Sequence, residues 1–173
     1  MPYWMHRHRL PDPQCERPCE MDLHPFVAHF PISLLIVGAI CDTIGILGRR
    51  DTFLRTGFLL VALGAVAAIV AAVSGDAASE IAERIPGITE DLEQHEDFST
   101  LVALLSVAGV LLRTHLTLKS KFVGAVTRIY LLLIVGVAIL TALSGYTGGR
   151  IVYEYGAGTK KITSEIEVPD SPE

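Results

Sequence analysis

Three histidines and two carboxylates are the residues whose types and placement carry chemistry. His24 and His29 stand in the run His24, Pro25, Phe26, Val27, Ala28, His29, Phe30, Pro31, and His95 recurs far along the chain. A neutral imidazole is a good ligand for haem iron, and two of them projecting inward from different helices of a bundle can clamp a macrocycle between them. The bland alternative is that such histidines hydrogen-bond water, backbone carbonyls or nearby acids at the headgroup level. His29 fits that alternative least well, because an ionisable residue inside an apolar zone tends to face a bundle interior and mark function. His24, just before Pro25, also reads as a helix cap with proline at the first helical position. Asp42 lies well inside an apolar stretch, where a carboxylate is costly unless paired; a structural ion pair with Arg128 or Arg55 is expected, with a proton-relay role as the alternative. Pro31 withdraws a backbone donor beside His29 and is expected to bend its helix there.

Apolar segments must position these groups. Half of the 173 residues are hydrophobic, mean hydropathy is +0.45 and only 19% are charged, an apolar balance that a bilayer solvent explains better than water does. The net charge of -5 leaves no basic face for nucleic acid. No phosphate loop, nucleophile triad or zinc-protease motif is present, so hydrolytic and nucleotide chemistry have no support. Four stretches, residues 25–47, 57–74, 98–112 and 129–146, are long enough to cross a bilayer as helices, the third if it continues into its polar flanks. Thr89 followed by Glu90, Asp91 and Glu93 predicts the start of that third helix. Counted from the middle of each stretch at 1.5 Å per residue, His29 lies roughly 11 Å and His95 roughly 15 Å toward the same side. His115, about 30 Å along the helix from His95, cannot share a site with it. Small residues in the second and fourth stretches, among them Gly64, Ala68, Gly136 and Gly145, leave room for close packing or a cofactor.

Charge sets the expected orientation. Arg49, Arg50 and Arg55 follow the first stretch and Arg113, Lys119, Lys121 and Arg128 follow the third, whereas residues 75–97 hold only Arg84 among eight acids. Basic residues are retained in short cytoplasmic loops, so the acidic connection and both termini are expected on the outer, non-cytoplasmic side. His24, His29, Asp76, His95 and residues 145–158 then reach one face. The expected architecture is an all-α membrane protein, a four-helix transmembrane bundle, whose spanning helices rather than barrel strands favour an inner membrane. Residues 1–22 read as a polar extension, 23–147 as the transmembrane domain and 148–173 as an interfacial glycine- and tyrosine-containing segment with a polar tail. In that last segment Tyr153 and Tyr155 alternate with Val152 and Glu154, which predicts a short amphipathic strand or turn at the interface, either a lid over the bundle mouth or a simple anchor. Residues 1–20 lack the apolar core of a cleavable signal, so the first span is expected to act as its own insertion signal. Cys15 and Cys19 are placed where disulfides persist and are read equally as a bridge or as two thiols, while Cys41 reads as a small apolar filler.

His24-Pro25-x-x-x-His29-Phe30-Pro31-Ile32, Ser74-Gly75-Asp76-Ala77, His95, and the segment from Thr147, Gly148 and Gly149 through Tyr153 and Tyr155 to Gly158 together resemble an uncharacterised family of predicted four-helix bacterial membrane proteins, a domain of unknown function. The resemblance covers residues 22–159. Some members occur joined to cytochrome c or Rieske iron-sulfur modules, which implies an electron-transfer setting. The recurrent histidines of the family map to His24, His29 and His95, with Asp76 and the glycine-rich tail as further shared features. The resulting expectation is a carrier subunit with a b-type haem near the outer surface, His29 and His95 as its axial ligands, passing electrons between quinol or a periplasmic carrier and a larger complex. Two rivals stand beside it: a cofactor-free accessory subunit of a respiratory or photosynthetic assembly, and a metal or quinone site built on His24, His29, His95 and Asp76.

Overall fold

Four long helices account for nearly all of the computed structural model, which describes residues 24–119 and 122–157. The expectations for Cys15, Cys19 and the polar extension lie outside the described residues. In chain order the helices are α1 (His24–Gly48), α2 (Asp51–Ala82), α3 (Thr89–Leu118) and α4 (Ala125–Tyr155), and each is long and apolar enough to cross a membrane. The third helix starts at Thr89, where its acidic first turn predicts. Leu111, Leu118 and Leu132 are among many large aliphatic side chains left open, Leu132 at 74% exposure. Water would not tolerate such a girdle, so it faces lipid.

The helices extend well past the apolar stretches. Helix α2 carries Ser74, Gly75 and Asp76 inside it and ends only at Ala82, so the acidic connection is a short turn rather than a long loop. Helix α4 runs without a break through Gly148 and Gly149 to Tyr155, and Gly156 ends it in the left-handed conformation, φ 68°. The expected strand at Tyr153 and Tyr155 is therefore corrected to helix. Alternation over five residues carries little weight against a helix already propagating into it, and Ile151 fixes that turn by burying itself against Ile88 and Leu92. Helix α1 likewise continues through Pro31.

Neighbouring helices pack antiparallel in the order α1, α2, α3, α4 and back to α1, leaving α1 diagonal to α3. The seam between α1 and α2 is the tightest. A Cβ on Gly38 would come within 2.8 Å of Val61, one on Gly64 within 2.8 Å of Leu35, and one on Gly57 within 2.7 Å of the Asp42 carboxyl carbon. Small residues are what allow such approach where lipid gives no hydrophobic drive for association. The central core is Leu35, Val61, Val102, Tyr130, Ile134 and Val137.

The two hairpins repeat one another. Pro31, Leu35, Gly38, Asp42 and Gly45 are buried on α1, and Val102, Ser106, Gly109, Arg113 and Leu116 are buried at the equivalent places on α3, each pair 71 positions apart as Asp42 and Arg113 are. His24 and His95 fall on the same spacing. Buried Gly57, Val61, Gly64 and Ala68 of α2 likewise correspond to Tyr130, Ile134, Val137 and Thr141 of α4, each pair 73 positions apart. The bundle is thus a pair of like-oriented repeats about an axis running along the helices, an arrangement known from membrane proteins built on parallel internal repeats.

Candidate functional site

At one end of that axis the imidazoles of His24 and His95 meet. Their ring centroids are 6.3 Å apart and the planes are inclined at 78°, an edge-to-face contact reaching across the bundle from α1 to α3. Each ring rests on a glycine of the next helix in the chain. A Cβ on Gly75 of α2 would lie 2.9 Å from Cε1 of His24, and one on Gly148 of α4 would lie 2.9 Å from Cε1 of His95. Any larger residue at either glycine would push the ring out of its place.

Hydrogen bonds fix the tautomers. Nδ1 of His95 donates to the Ser144 carbonyl at 3.0 Å and lies 3.2 Å from Thr147 Oγ1. Thr147 spends its own proton on the same carbonyl, so its oxygen can only accept from the ring. In the other half Nδ1 of His24 lies 3.1 Å from Ser74 Oγ, whose proton goes to the Ala71 carbonyl. In both rings Nδ1 therefore carries a hydrogen, and in the neutral form of such a ring the lone pair is on Nε2, the state in which an imidazole ligates a metal while its other nitrogen is held by a second group. Ser99 adds a polar rung between α3 and α4, bonding the His95 carbonyl at 2.8 Å and Ser144 Oγ at 3.0 Å.

His29 sits elsewhere. It is exposed, its Nδ1 donates to the Pro25 carbonyl at 2.5 Å, and it makes no ring contact with His95. The partner that reaches His95 is His24. Asp76 is exposed on α2, and its recorded contact is a backbone one, its carbonyl accepting from Ser79 Oγ. Tyr153 is 90% exposed, as an interfacial residue would be. Tyr155 instead donates to Asp91 at 2.7 Å, beside an ion pair from Arg150 to the same carboxylate at 3.2 Å and another from Arg150 to Glu154 at 2.9 Å. This cluster ties the end of α4 to the start of α3. Among the described residues no group of three or more histidines, cysteines or carboxylates is placed to hold a metal ion.

The opposite end of the axis holds the second polar centre. Asp42 is fully buried and forms an ion pair with Arg113, which lies diagonally opposite on α3; Arg55 and Arg128 are exposed and are not its partners. The expectation of a structural ion pair is met with a different arginine. Arg113 shares a helix face with Val102, Ser106 and Gly109, so its stem enters the core, whereas Arg55 and Arg128 lie on faces turned outward. Tyr130 donates to the second Asp42 oxygen at 2.6 Å, and Arg113 also bonds Tyr130 and the Leu54 carbonyl. The guanidinium carbon stands 5.1 Å from the Phe58 ring centre and 5.2 Å from that of Phe122. Sequence reading missed Arg113 and Tyr130. The signal was there in the equal distance along the chain from His24 to Asp42 and from His95 to Arg113, which the repeat makes visible.

Four lipid-girdled helices with one buried and one half-buried polar centre on their axis define a helical, multi-pass membrane protein of the four-helix-bundle class. The chain belongs to the DUF2231 family, described as a predicted membrane protein, whose model matches residues 20–161. No curated protein and no solved structure matches it.

Proposed function

We propose that this protein is a membrane-bound electron-carrier subunit in which His24 and His95 would hold a b-type haem at the histidine end of the bundle. The observation that carries the reading is the opposition of two imidazoles across the repeat axis, each oriented through Nδ1 and each seated on a glycine. The donor set suits the group: two neutral nitrogens from diagonal helices, small residues on the flanking helices, and an apolar bundle below. A haem so held supplies one-electron redox chemistry. The chain's own residues do the rest. Ser74, Ser144 and Thr147 hold the rings in one tautomer, and Gly75 and Gly148 keep space beside them.

In the same reading the histidine end faces the periplasm of a bacterial inner membrane, with both termini on that side. Arg49, Arg50, Arg55, Lys119 and Arg128 crowd the other end, while Glu80, Glu83, Glu90, Asp91 and Glu93 surround the histidine end, the asymmetry that retains basic loops in the cytoplasm. Electrons then pass between quinol or a periplasmic carrier and a larger redox or photosynthetic complex. The deciding measurement is a reduced-minus-oxidised optical spectrum of the purified full chain. A b-type band that disappears in His24→Ala and in His95→Ala but survives in His29→Ala is the expected result; a protein without such a band ends the proposal.

A second reading has its own observation. The imidazoles already touch each other, edge to face across the repeat axis. That favours a cofactor-free accessory subunit in which the pair is a polar latch. It predicts a featureless spectrum together with loss of thermal stability in His24→Ala and His95→Ala.

A further inference from the structure

The end of the bundle remote from the histidines carries a cavity of about 530 Å³ beside Arg113, between α2 and α3. It lies about 27 Å along the helix from His95, so it is no part of the imidazole site. Phe58 and Phe122 supply its aromatic walls, and Thr114 and Thr117 line it from α3. Arg113 stands at its base. A guanidinium has five N–H donors, and the structure uses three of them on Asp42, Tyr130 and the Leu54 carbonyl. Two donors remain on a side chain that is 7% exposed.

Charge narrows the ligand. The Arg113 cation is already neutralised by Asp42, and on the cavity rim Arg55 is accompanied by Asp51. Within the lining the charges balance, and an anionic headgroup drawn to the basic residues Arg49, Arg50, Lys119 and Arg128 of this end would face the Asp51 carboxylate once inside. A neutral acceptor meets no such opposition. Flat aromatic walls suit a planar ring, and the position of the cavity at the end of the apolar girdle suits a molecule delivered from the lipid. We infer that this cavity binds a neutral, lipid-soluble ring compound bearing carbonyl acceptors, of the quinone class, with a carbonyl oxygen taking the spare Arg113 donors and the ring lying against Phe58 and Phe122. The inference concerns binding alone and is independent of the haem proposal.

The test is equilibrium dialysis of radiolabelled decylubiquinone against the purified full chain in non-ionic detergent. One saturable equivalent is expected. Thr117→Trp and Leu118→Trp, made separately at exposed positions of the cavity wall, fill it without touching the Asp42–Arg113 pair and are expected to weaken binding at least tenfold, with melting temperatures close to that of the parent. His29→Ala, at an exposed position of the opposite end of the bundle, binds as the parent does. Three results would overturn the inference: no saturable binding, undiminished affinity in both tryptophan variants, or displacement of the quinone by an equimolar amount of phosphatidylglycerol, which would mark the cavity as a headgroup site.

Discussion

Asp42 shows most sharply what one residue can demand of a fold. A carboxylate at 0% exposure in an apolar helix is sustainable only because Arg113 and Tyr130 between them satisfy both of its oxygens. Breaking the pair from one side leaves an uncompensated buried charge. Arg113→Ala is therefore expected to lower stability by roughly 3–5 kcal/mol. Tyr130→Phe removes one hydrogen bond to a charge and is expected to lower it by about 1–3 kcal/mol. Reversible unfolding in detergent micelles checks both, and the ordering is the diagnostic part: a larger loss in Tyr130→Phe than in Arg113→Ala would mean that the ion pair is not what anchors this end. The carboxylate, its depth and its need for a partner were legible in the chain. The identity of the partner was not, because several arginines stand near that end of the spans and only the rotational setting of α3 sends one of them into the core.

At the scale of elements, the seam between α1 and α2 decides how closely the bundle can close. At Gly57 an added methyl group would sit 2.7 Å from the Asp42 carboxyl carbon and 2.8 Å from its backbone nitrogen, and a backbone atom cannot swing away. Gly57→Ala is expected to separate the helices and lower stability by about 1–3 kcal/mol, as overpacking generally does. At Gly136 of α4 an added methyl group meets nothing within 4 Å. Gly136→Ala is expected to be neutral or to stabilise by up to about 1 kcal/mol through helix propensity. Thermal melts of the two variants side by side test the seam, since equal effects would show that both glycines serve only as flexible helix positions. Helix number and the start of α3 could be read from hydropathy and capping. The far ends of α2 and α4 could not, because polar residues beyond the hydrocarbon zone give no periodic signal and are held helical by contacts such as Ile151 on Ile88.

Over the whole molecule, the repeat makes the two hairpins interchangeable in outline. Helix α1 borders α4 as α3 borders α2, and the polar centres on the axis each take one residue from α1 and one from α3. Chain order should then matter little. A full-length permutant that begins at Thr89, runs to Glu173, continues from Met1 and stops at Ile88 keeps every helix in its place and uses the terminal segments as the new connection. It is expected to enter the membrane, to purify as a folded protein and to melt within several degrees of the parent. Aggregation of this permutant, where the parent is soluble in the same detergent, would show that the halves are not equivalent.

The amino-acid sequence by itself determined the solvent, the number of spanning helices and the presence of expensive polar groups within them, because transfer of residues into hydrocarbon is decided locally, stretch by stretch. Only the tertiary structure decided which polar groups meet. It joined His24 rather than His29 to His95 and Arg113 rather than Arg55 or Arg128 to Asp42. Those pairings depend on the rotation of each helix about its own axis and on which helices stand diagonal, and both are set by how glycines and side chains from distant segments interlock.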